Sequence, residues 1–330
     1  MSNILVTGGA GYIGSHVAQQ LHSKNRDLVI LDNLSTGFKQ AALNSKLIIG
    51  DTGDKKLVNQ ILKEHKITAV LHFAAHTIVP ESVSNPLKYY GNNTCCTRNL
   101  LECCAANDVK HVIFSSTAAV YGVATDGLVR EDSSLMPINP YGTSKLMSEW
   151  MLRDLSAATD LSHVVLRYFN VAGSDPQGRI GQSTRNATLL TKVACEAALG
   201  IRDHVAIFGT DYPTVDGTGV RDYIHVEDLA NAHLMALDYL EQGGDSNTFN
   251  CGYGHGYSVR EVLDMVTKVN ATPLNIKELP RRAGDPPQLI ADASRIRNTL
   301  GWQPQHDNLE QIVQTSLNWE RKLHQNDFRN

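Results

Sequence analysis

Residues 4–14 read Ile4-Leu5-Val6-Thr7-Gly8-Gly9-Ala10-Gly11-Tyr12-Ile13-Gly14, a short apolar run that breaks into a burst of glycines. Gly9, Gly11 and Gly14 fit G-x-G-x-x-G, while Gly8, Gly11 and Gly14 fit an even spacing of three. Ile13, Val17 and Leu21 then recur every four residues, the period of one helix face. Strand, glycine turn and helix in this order suit a dinucleotide pyrophosphate. The first glycines allow a turn with positive φ, Gly11 has no Cβ to hold phosphates away, and Gly14 lets helix and strand pack closely. The helix N-terminus supplies free N–H groups and a positive dipole end.

Glycine turns are common, so the fingerprint needs context. A second apolar run, Asp27 to Leu31, ends at Asp32, about 20 residues on, where an acid grips the adenosine ribose diol. A carboxylate there repels a 2′-phosphate, and the residues that follow are Asn33, Leu34, Ser35 and Thr36 rather than arginine. NAD is therefore expected over NADP.

The first half alternates strand and helix. Further strands are predicted at 46–49 (ending at Gly50-Asp51-Thr52), 69–73, 111–114 (ending in Ser115-Ser116-Thr117) and 163–166. Helices are predicted at 55–65, 87–107 and 141–157. Strands that are apolar throughout indicate a parallel sheet covered on both faces. The expectation is a doubly wound α/β (Rossmann) parallel sheet, with ligand groups just past the strand C-termini. Asp32, Asp51, Phe73, Thr117 and Asn170 lie there. Beyond about residue 170 glycine and proline punctuate the chain, and helical stretches appear at 188–199, 226–241, 259–269 and 309–324. This reads as a smaller C-terminal α+β lobe. The domains are placed at 1–175 and 176–330, some later segments packing back on the first, with 326–330 a frayed tail.

At 330 residues the chain suits two lobes rather than one core. Its 42% hydrophobic and 19% charged residues exclude a mainly disordered chain. A net charge of −4 gives no bulk case for nucleic acid or anionic membrane. No basic, apolar leader opens the sequence and no apolar run nears a membrane span. The six cysteines include adjacent pairs, 95/96 and 103/104, in a helical stretch. They read as reduced packing thiols in a cytoplasmic protein, and no metal-ligand spacing is present.

Tyr141-Gly142-Thr143-Ser144-Lys145 places Tyr and Lys at i and i+4 on one helix face. A free phenol titrates near 10, so a tyrosine base needs help. A nearby ammonium and a cationic nicotinamide ring would both favour the phenolate. Reaching a pKa of about 7 takes roughly 4 kcal/mol, at about 1.36 kcal/mol per unit. After a dinucleotide fingerprint and a Ser-Ser-Thr strand end, the pair points to catalysis rather than a solvated face.

TGGAGYIG (7–14), the Asp32-Asn33-Leu34 turn, Tyr141-x-x-x-Lys145 and RYFNVAG (167–173) together resemble the extended short-chain dehydrogenase/reductase superfamily. The stretches HFAAHTIVPESV (72–83), YYGNNT (89–94), FSSTAAVYG (114–122), INPYGTSK (138–145), FGTDYPTVDGTGVRDYIHVEDLA (208–230) and RRAGDPPQLIADAS (281–294) narrow the likeness. Over nearly the whole chain it is similar to the UDP-glucose 4-epimerase family. That resemblance implies NAD over Gly8, Gly11, Tyr12, Ile13 and Gly14. Asp32, Asn33, Leu34, Ser35, Thr36 and Gly37 would surround the adenosine, and Asp51 and Thr52 the adenine. Phe73, Ala74, Ala75, His76 and Thr77 would line the middle of the cofactor, and Asn92, Tyr141, Lys145 and Phe169 would complete its site. Catalysis would rest on Tyr141 as base, Lys145 on the nicotinamide ribose and Thr117 beside the sugar O4. Asn170, Leu189, Ala206, Ile207, Phe208, Arg221, Arg282, Asp285 and Leu289 would bind UDP-glucose or UDP-galactose, two arginines matching a diphosphate. A homodimer using part of the 87–107 helix is also implied.

Three positions depart from the familiar bacterial pattern. Thr77 stands where a lysine often reaches the pyrophosphate, Leu189 where an asparagine often touches the nucleotide, and Leu289 at the gate of the sugar pocket. Leu289 leaves N-acetylated sugars open. A 4,6-dehydratase would need an acid/base pair after Thr117, where Ala118 and Ala119 stand. UDP-uronate or UDP-pentose epimerases remain alternatives, and an NAD-sensing binding module is the non-enzyme rival. His72, His76 and His111 flank strand ends and read as structural.

Overall fold

The computed structural model describes residues 3–123, 127–282, 285–325 and 328, so the expected tail lies almost wholly outside the described residues. Seven strands form the central sheet: β1 (Ile4–Thr7), β2 (Leu28–Asp32), β3 (Lys46–Ile49), β4 (Ala69–His72), β5 (His111–Ser115), β6 (Ser162–Tyr168) and β7 (Asn247–Cys251). Their order is 3-2-1-4-5-6-7. Every pairing is parallel, with Val6 of β1 opposite both Ile30 of β2 and Leu71 of β4. The sheet is doubly wound, as the apolar strands require.

Alternation along β1 feeds two cores. Ile4 and Val6 pack with Val17 and Leu21 of helix Tyr12–Ser23 and with Leu229 and Leu237 of helix Val226–Glu241. Leu5 points the other way, toward Val58 and Ile61 of helix Lys55–Glu64, Leu100 of helix Cys96–Ala106 and Leu152 of helix Pro140–Ala158. Each such buried Leu or Ile contributes about 1.5–3 kcal/mol.

Segments cross between the halves in both directions. β7 and helix Val226–Glu241 come from beyond residue 175 and complete the parallel sheet. Leu128–Val129 goes the other way, joining Gln288–Ala291, Val220–Arg221 and Tyr257–Ser258 in a four-stranded sheet. Val205–Phe208 pairs with Ile276–Leu279.

The long helix expected at 87–107 is broken. Pro86–Tyr89 is helical, Tyr90–Cys95 widens into a π-helical turn, and Cys96–Ala106 resumes the α-helix. The cause is Asn93. Its amide donates to the His76 carbonyl at 3.0 Å and to Ser144 Oγ at 3.0 Å, and it accepts from the His76 N–H at 2.8 Å. The widened turn aims that side chain at the loop after β4, a use typical of π-bulges near functional sites. Helices Val79–Ser84 and Ser294–Leu300 carried no long period and were not expected.

Candidate active site

The chain leaves β1 toward one face of the sheet and β4 toward the other. The crevice past their C-termini is the site this topology reserves for ligands. A cavity of about 800 Å³ opens there, near the top of the usual range for ligand sites.

The glycine loop forms one end. Gly8 has φ +70°, and a Cβ on it would stand 2.6 Å from the Ala74 nitrogen. A Cβ on Gly14 would stand 2.3 Å from the Gly8 carbonyl oxygen. One on Gly11 would meet only that oxygen, at 3.2 Å, and Gly11 lines the cavity. Gly9 instead packs on Ile30, so the even spacing of Gly8, Gly11 and Gly14 is the one that shapes the wall. Gly11 gives the following helix no side-chain cap. The first-turn N–H groups at Tyr12, Ile13 and Gly14 therefore offer an anion site.

At the end of β2, Asp32 accepts from the N–H groups of Ala10 (2.9 Å) and Leu34 (2.8 Å), and burial raises its carboxyl above the ordinary value against those bonds. Two backbone bonds leave lone pairs for a diol. Asn33 donates to Asp51 at 2.8 Å. Asn33, Ser35, Thr36, Asp51, Thr52, Phe73, Ala74, Ala75, His76, Thr77, Asn92 and Phe169 line the same cavity. Leu34 and Gly37 do not. Leu34, at φ +58°, gives its N–H to Asp32, and Gly37 packs against the Ala10 carbonyl.

Helix Pro140–Ala158 starts with Asn139 accepting from Gly142 N–H at 2.9 Å and Pro140 in the first turn, a strong start signal. It presents Tyr141 to the cavity, hydrogen-bonded to Thr117 past β5. Lys145 lies behind the wall, donating to the Ser115 carbonyl at 2.8 Å, with its ammonium 4.8 Å from the centre of the Phe114 ring. Burial pushes the Tyr141 phenol up to about 12, with the Thr117 bond acting the other way. Burial also pulls Lys145 down to about 7, against the pull of Glu149. The expected lowering of the phenol does not arise from the protein's own charges, because the ammonium is held by a carbonyl and desolvation wins. A cationic nicotinamide ring fits as the missing partner, and the uncapped helix start and the acid at β2 fit the rest of NAD.

Asn170, Leu189, Arg221, Arg282, Asp285 and Leu289 line the cavity as well. Arg282 pairs with Asp285 at 2.8 Å and lies 4.8 Å over the Phe208 ring. Burial lowers the Arg221 guanidinium from its ordinary value, with Asp285 opposing. Ala206, Ile207 and Phe208 do not line the cavity: Ile207 belongs to the core, and Phe208 backs Arg282. Sequence reasoning missed Tyr168, whose hydroxyl accepts from Ser115 Oγ at 3.0 Å, and the loop residues Gln182 and Thr184. RYFN marked the first; nothing periodic marked the other two.

His72 is bonded to Thr7 (2.6 Å) and Thr97 (2.8 Å), and His111 to Ser162 (2.9 Å), while His76 lines the cavity. All six cysteines are free, though Cys95 is exposed rather than packed. No His/Cys/Asp/Glu cluster suited to a metal occurs among the described residues, nor does any helix long and apolar enough to cross a membrane.

The NAD dependent epimerase/dehydratase family model matches residues 4–252. The chain is 53% identical to a UDP-glucose 4-epimerase of Azospirillum brasilense, over 98% of this chain and 93% of that one. The crystal structure of a UDP-glucose 4-epimerase from Brucella ovis in complex with NAD superposes with a TM-score of 0.94 at 40% identity, covering 96% of this chain and 98% of that one. The UDP-Glc/GlcNAc 4-epimerase from Campylobacter jejuni superposes with a TM-score of 0.86 at 50% identity, covering 98% and 100%.

Proposed function

The chain belongs to the NAD-dependent epimerase/dehydratase family, and we propose from that premise that it is an isomerase interconverting UDP-glucose and UDP-galactose at C4. The observation that carries this reading is one cavity holding an uncapped glycine loop, a Tyr141–Thr117 pair and two arginines. Gly8, Gly11, Tyr12, Ile13, Gly14, Asp32, Asp51 and the loop from Phe73 to Thr77 would hold NAD, with Asn92, Lys145 and Phe169 at its nicotinamide end. When bound, NAD supplies the acceptor and donor for the C4 hydride.

Tyr141 takes the proton from the hexose 4-hydroxyl and later returns it. Thr117 steadies that oxygen. Arg221, Arg282, Asp285 and Asn170 keep hold of UDP while the 4-keto hexose turns over, so binding energy sits on the nucleotide and not on the sugar. Ala118 and Ala119, also at the cavity wall, offer no acid or base to expel a C6 hydroxyl, which disfavours a dehydratase. Incubation with UDP-galactose, without added NAD, should yield UDP-glucose. No conversion even after NAD⁺ is supplied would overturn the reading.

Arg221→Ala should raise KM for UDP-galactose about 10- to 100-fold, since a charged hydrogen bond contributes about 1.5–3 kcal/mol. kcat should stay within a few-fold, the signature of uniform binding. A tenfold fall in kcat at unchanged KM would move Arg221 out of the nucleotide grip.

Leu289 at the cavity wall is smaller than an aromatic gate but bulkier than the small residues that admit an acetamide, so UDP-N-acetylhexosamine is a second substrate class to test. Competition between the two galacto sugars would rank them. We further propose that the 176–330 lobe supplies most of the UDP contacts. A homodimer is also proposed: Leu87 (79% exposed) and Trp150 (46%) stand on neighbouring helices as apolar surface awaiting cover. Sedimentation should give twice the 36.2 kDa chain mass.

A further inference from the structure

Helix Pro140–Ala158 carries a third ionisable group that the reaction scheme leaves unused. Glu149 lies four residues past Lys145 and eight past Tyr141, so the three run along one stripe. It is 6% exposed. A buried carboxylate is costly unless paired and hydrogen-bonded, and this one is both. Arg167 on β6 donates Nε to Oε1 at 3.1 Å and Nη2 to Oε2 at 2.6 Å, and Ser116 Oγ donates to Oε1. Ser116 stands between Ser115, whose carbonyl holds Lys145, and Thr117, which is bonded to Tyr141. Arg167 also donates to Tyr121 Oη at 3.0 Å, and that hydroxyl donates to Asn250 of β7 at 2.6 Å. One carboxylate thus ties the Tyr–Lys helix to the ends of β5 and β6, and through Tyr121 to β7.

We propose that Glu149 is a positioning residue for the inversion at C4. It seats the helix bearing Tyr141 and Lys145 on the strand end bearing Thr117, and it supplies the counter-charge for the Lys145 ammonium. The proposal rests on the epimerase reading and deepens it.

The surroundings of Lys145 leave that task to Glu149. The hydrogen bond of Lys145 goes to a neutral carbonyl. His72 on β4 is pulled to about 3 by burial and by Lys145 itself, so it is neutral. Tyr168 on β6 and Tyr89 beside Tyr141 are raised by burial and also neutral. Asn93 and Thr94, on the π-helical turn packed against this helix, carry no charge. Glu81 is paired with Lys88 at the surface. Arg167 is occupied by Glu149, and it is Glu149 that raises Lys145 against burial.

The sign of the effect follows. Neutralising Glu149 removes the negative charge that raises Lys145 against burial, which disfavours the ammonium. Lys145 then titrates at lower pH, and the pH profile of kcat moves to the acid side. Glu149→Gln keeps the reach and loses the charge, while Glu149→Asp keeps the charge and loses reach. Glu149→Gln should shift the profile by about one unit toward acid and lower kcat about tenfold at pH 8. Glu149→Asp should lower kcat with its profile in place. KM and bound NAD should stay near wild type in both. A Glu149→Gln profile lying on that of wild type overturns the counter-charge role, and a fully active Glu149→Asp overturns the seating role. If Glu149→Gln fails to fold around an unpaired Arg167, the double variant Glu149→Gln/Arg167→Gln replaces it. That variant should still shift toward acid, since Glu149 rather than Arg167 acts on Lys145. Wild-type conversion of UDP-galactose in the same assay tests the parent reading separately. Its absence fails that reading, whereas normal wild-type turnover with an unmoved profile fails only the role of Glu149.

Discussion

Tyr141→Phe is expected to lower kcat by about 10³-fold while NAD remains bound. Positioned acid–base groups contribute about 10²–10⁴-fold, and here a single oxygen serves as base in one half of the cycle and acid in the other. The substitution is otherwise mild. The ring keeps its edge contact with Tyr89, at 6.5 Å between centroids. Lys145 keeps its bond to the Ser115 carbonyl, which does not pass through the phenol, and the glycine loop lies elsewhere in the cavity. Steady-state kcat and the nucleotide released on denaturing the purified protein are the two measurements. A kcat within tenfold of wild type would remove Tyr141 as the base, whereas loss of NAD would mean the ring supports the cofactor site.

The sheet was legible because each early strand is one apolar run, and the doubly wound topology then places ligand groups at strand C-termini. Asp32, Thr117 and Asn170 stand where that rule puts ligand groups, and all three line the cavity. β7 was not, because Asn247-Thr248-Phe249-Asn250-Cys251 reads as polar. Its buried Asn250 is satisfied across the chain, donating to the Val129 carbonyl at 2.9 Å and accepting from Tyr121 at 2.6 Å. The π-helical turn at Tyr90–Cys95 was hidden because one extra residue barely disturbs an apolar helical period, and its cause, Asn93, acts on partners far along the chain. Lys145 was assigned to the right helix face, yet its ammonium meets a backbone carbonyl, an acceptor no side-chain pattern announces. The Glu149–Arg167 pair was invisible for a related reason: it spans a helix and a strand, so neither period applies.

Gly14→Ala is expected to cost about 3 kcal/mol of stability and to yield protein without NAD. The added Cβ would stand 2.3 Å from the Gly8 carbonyl oxygen and 2.9 Å from Gly9 Cα. Both are backbone atoms, so no rotamer change relieves the clash, and overpacking of this kind falls at or beyond the usual 1–3 kcal/mol. The loop has little room to retreat, because Gly8 is itself pressed on Ala74 and Gly9 on Ile30. The helix must therefore lift from the loop, taking the N–H groups of Tyr12 and Ile13 away from the pyrophosphate position. At about 2–4 °C per kcal/mol, Tm should fall by roughly 6–12 °C. Gly11→Ala is the informative contrast. Its Cβ would meet one atom at 3.2 Å and otherwise face the cavity, so the protein freed of NAD should melt near wild type while cofactor binding fails. Loss of NAD at an unchanged Tm for Gly11→Ala, against loss of NAD with a lowered Tm for Gly14→Ala, separates the surface that touches the phosphates from the contact that holds the helix in place. A Gly14→Ala protein that melts with wild type and keeps its NAD would show that this close approach is not what shapes the cofactor site.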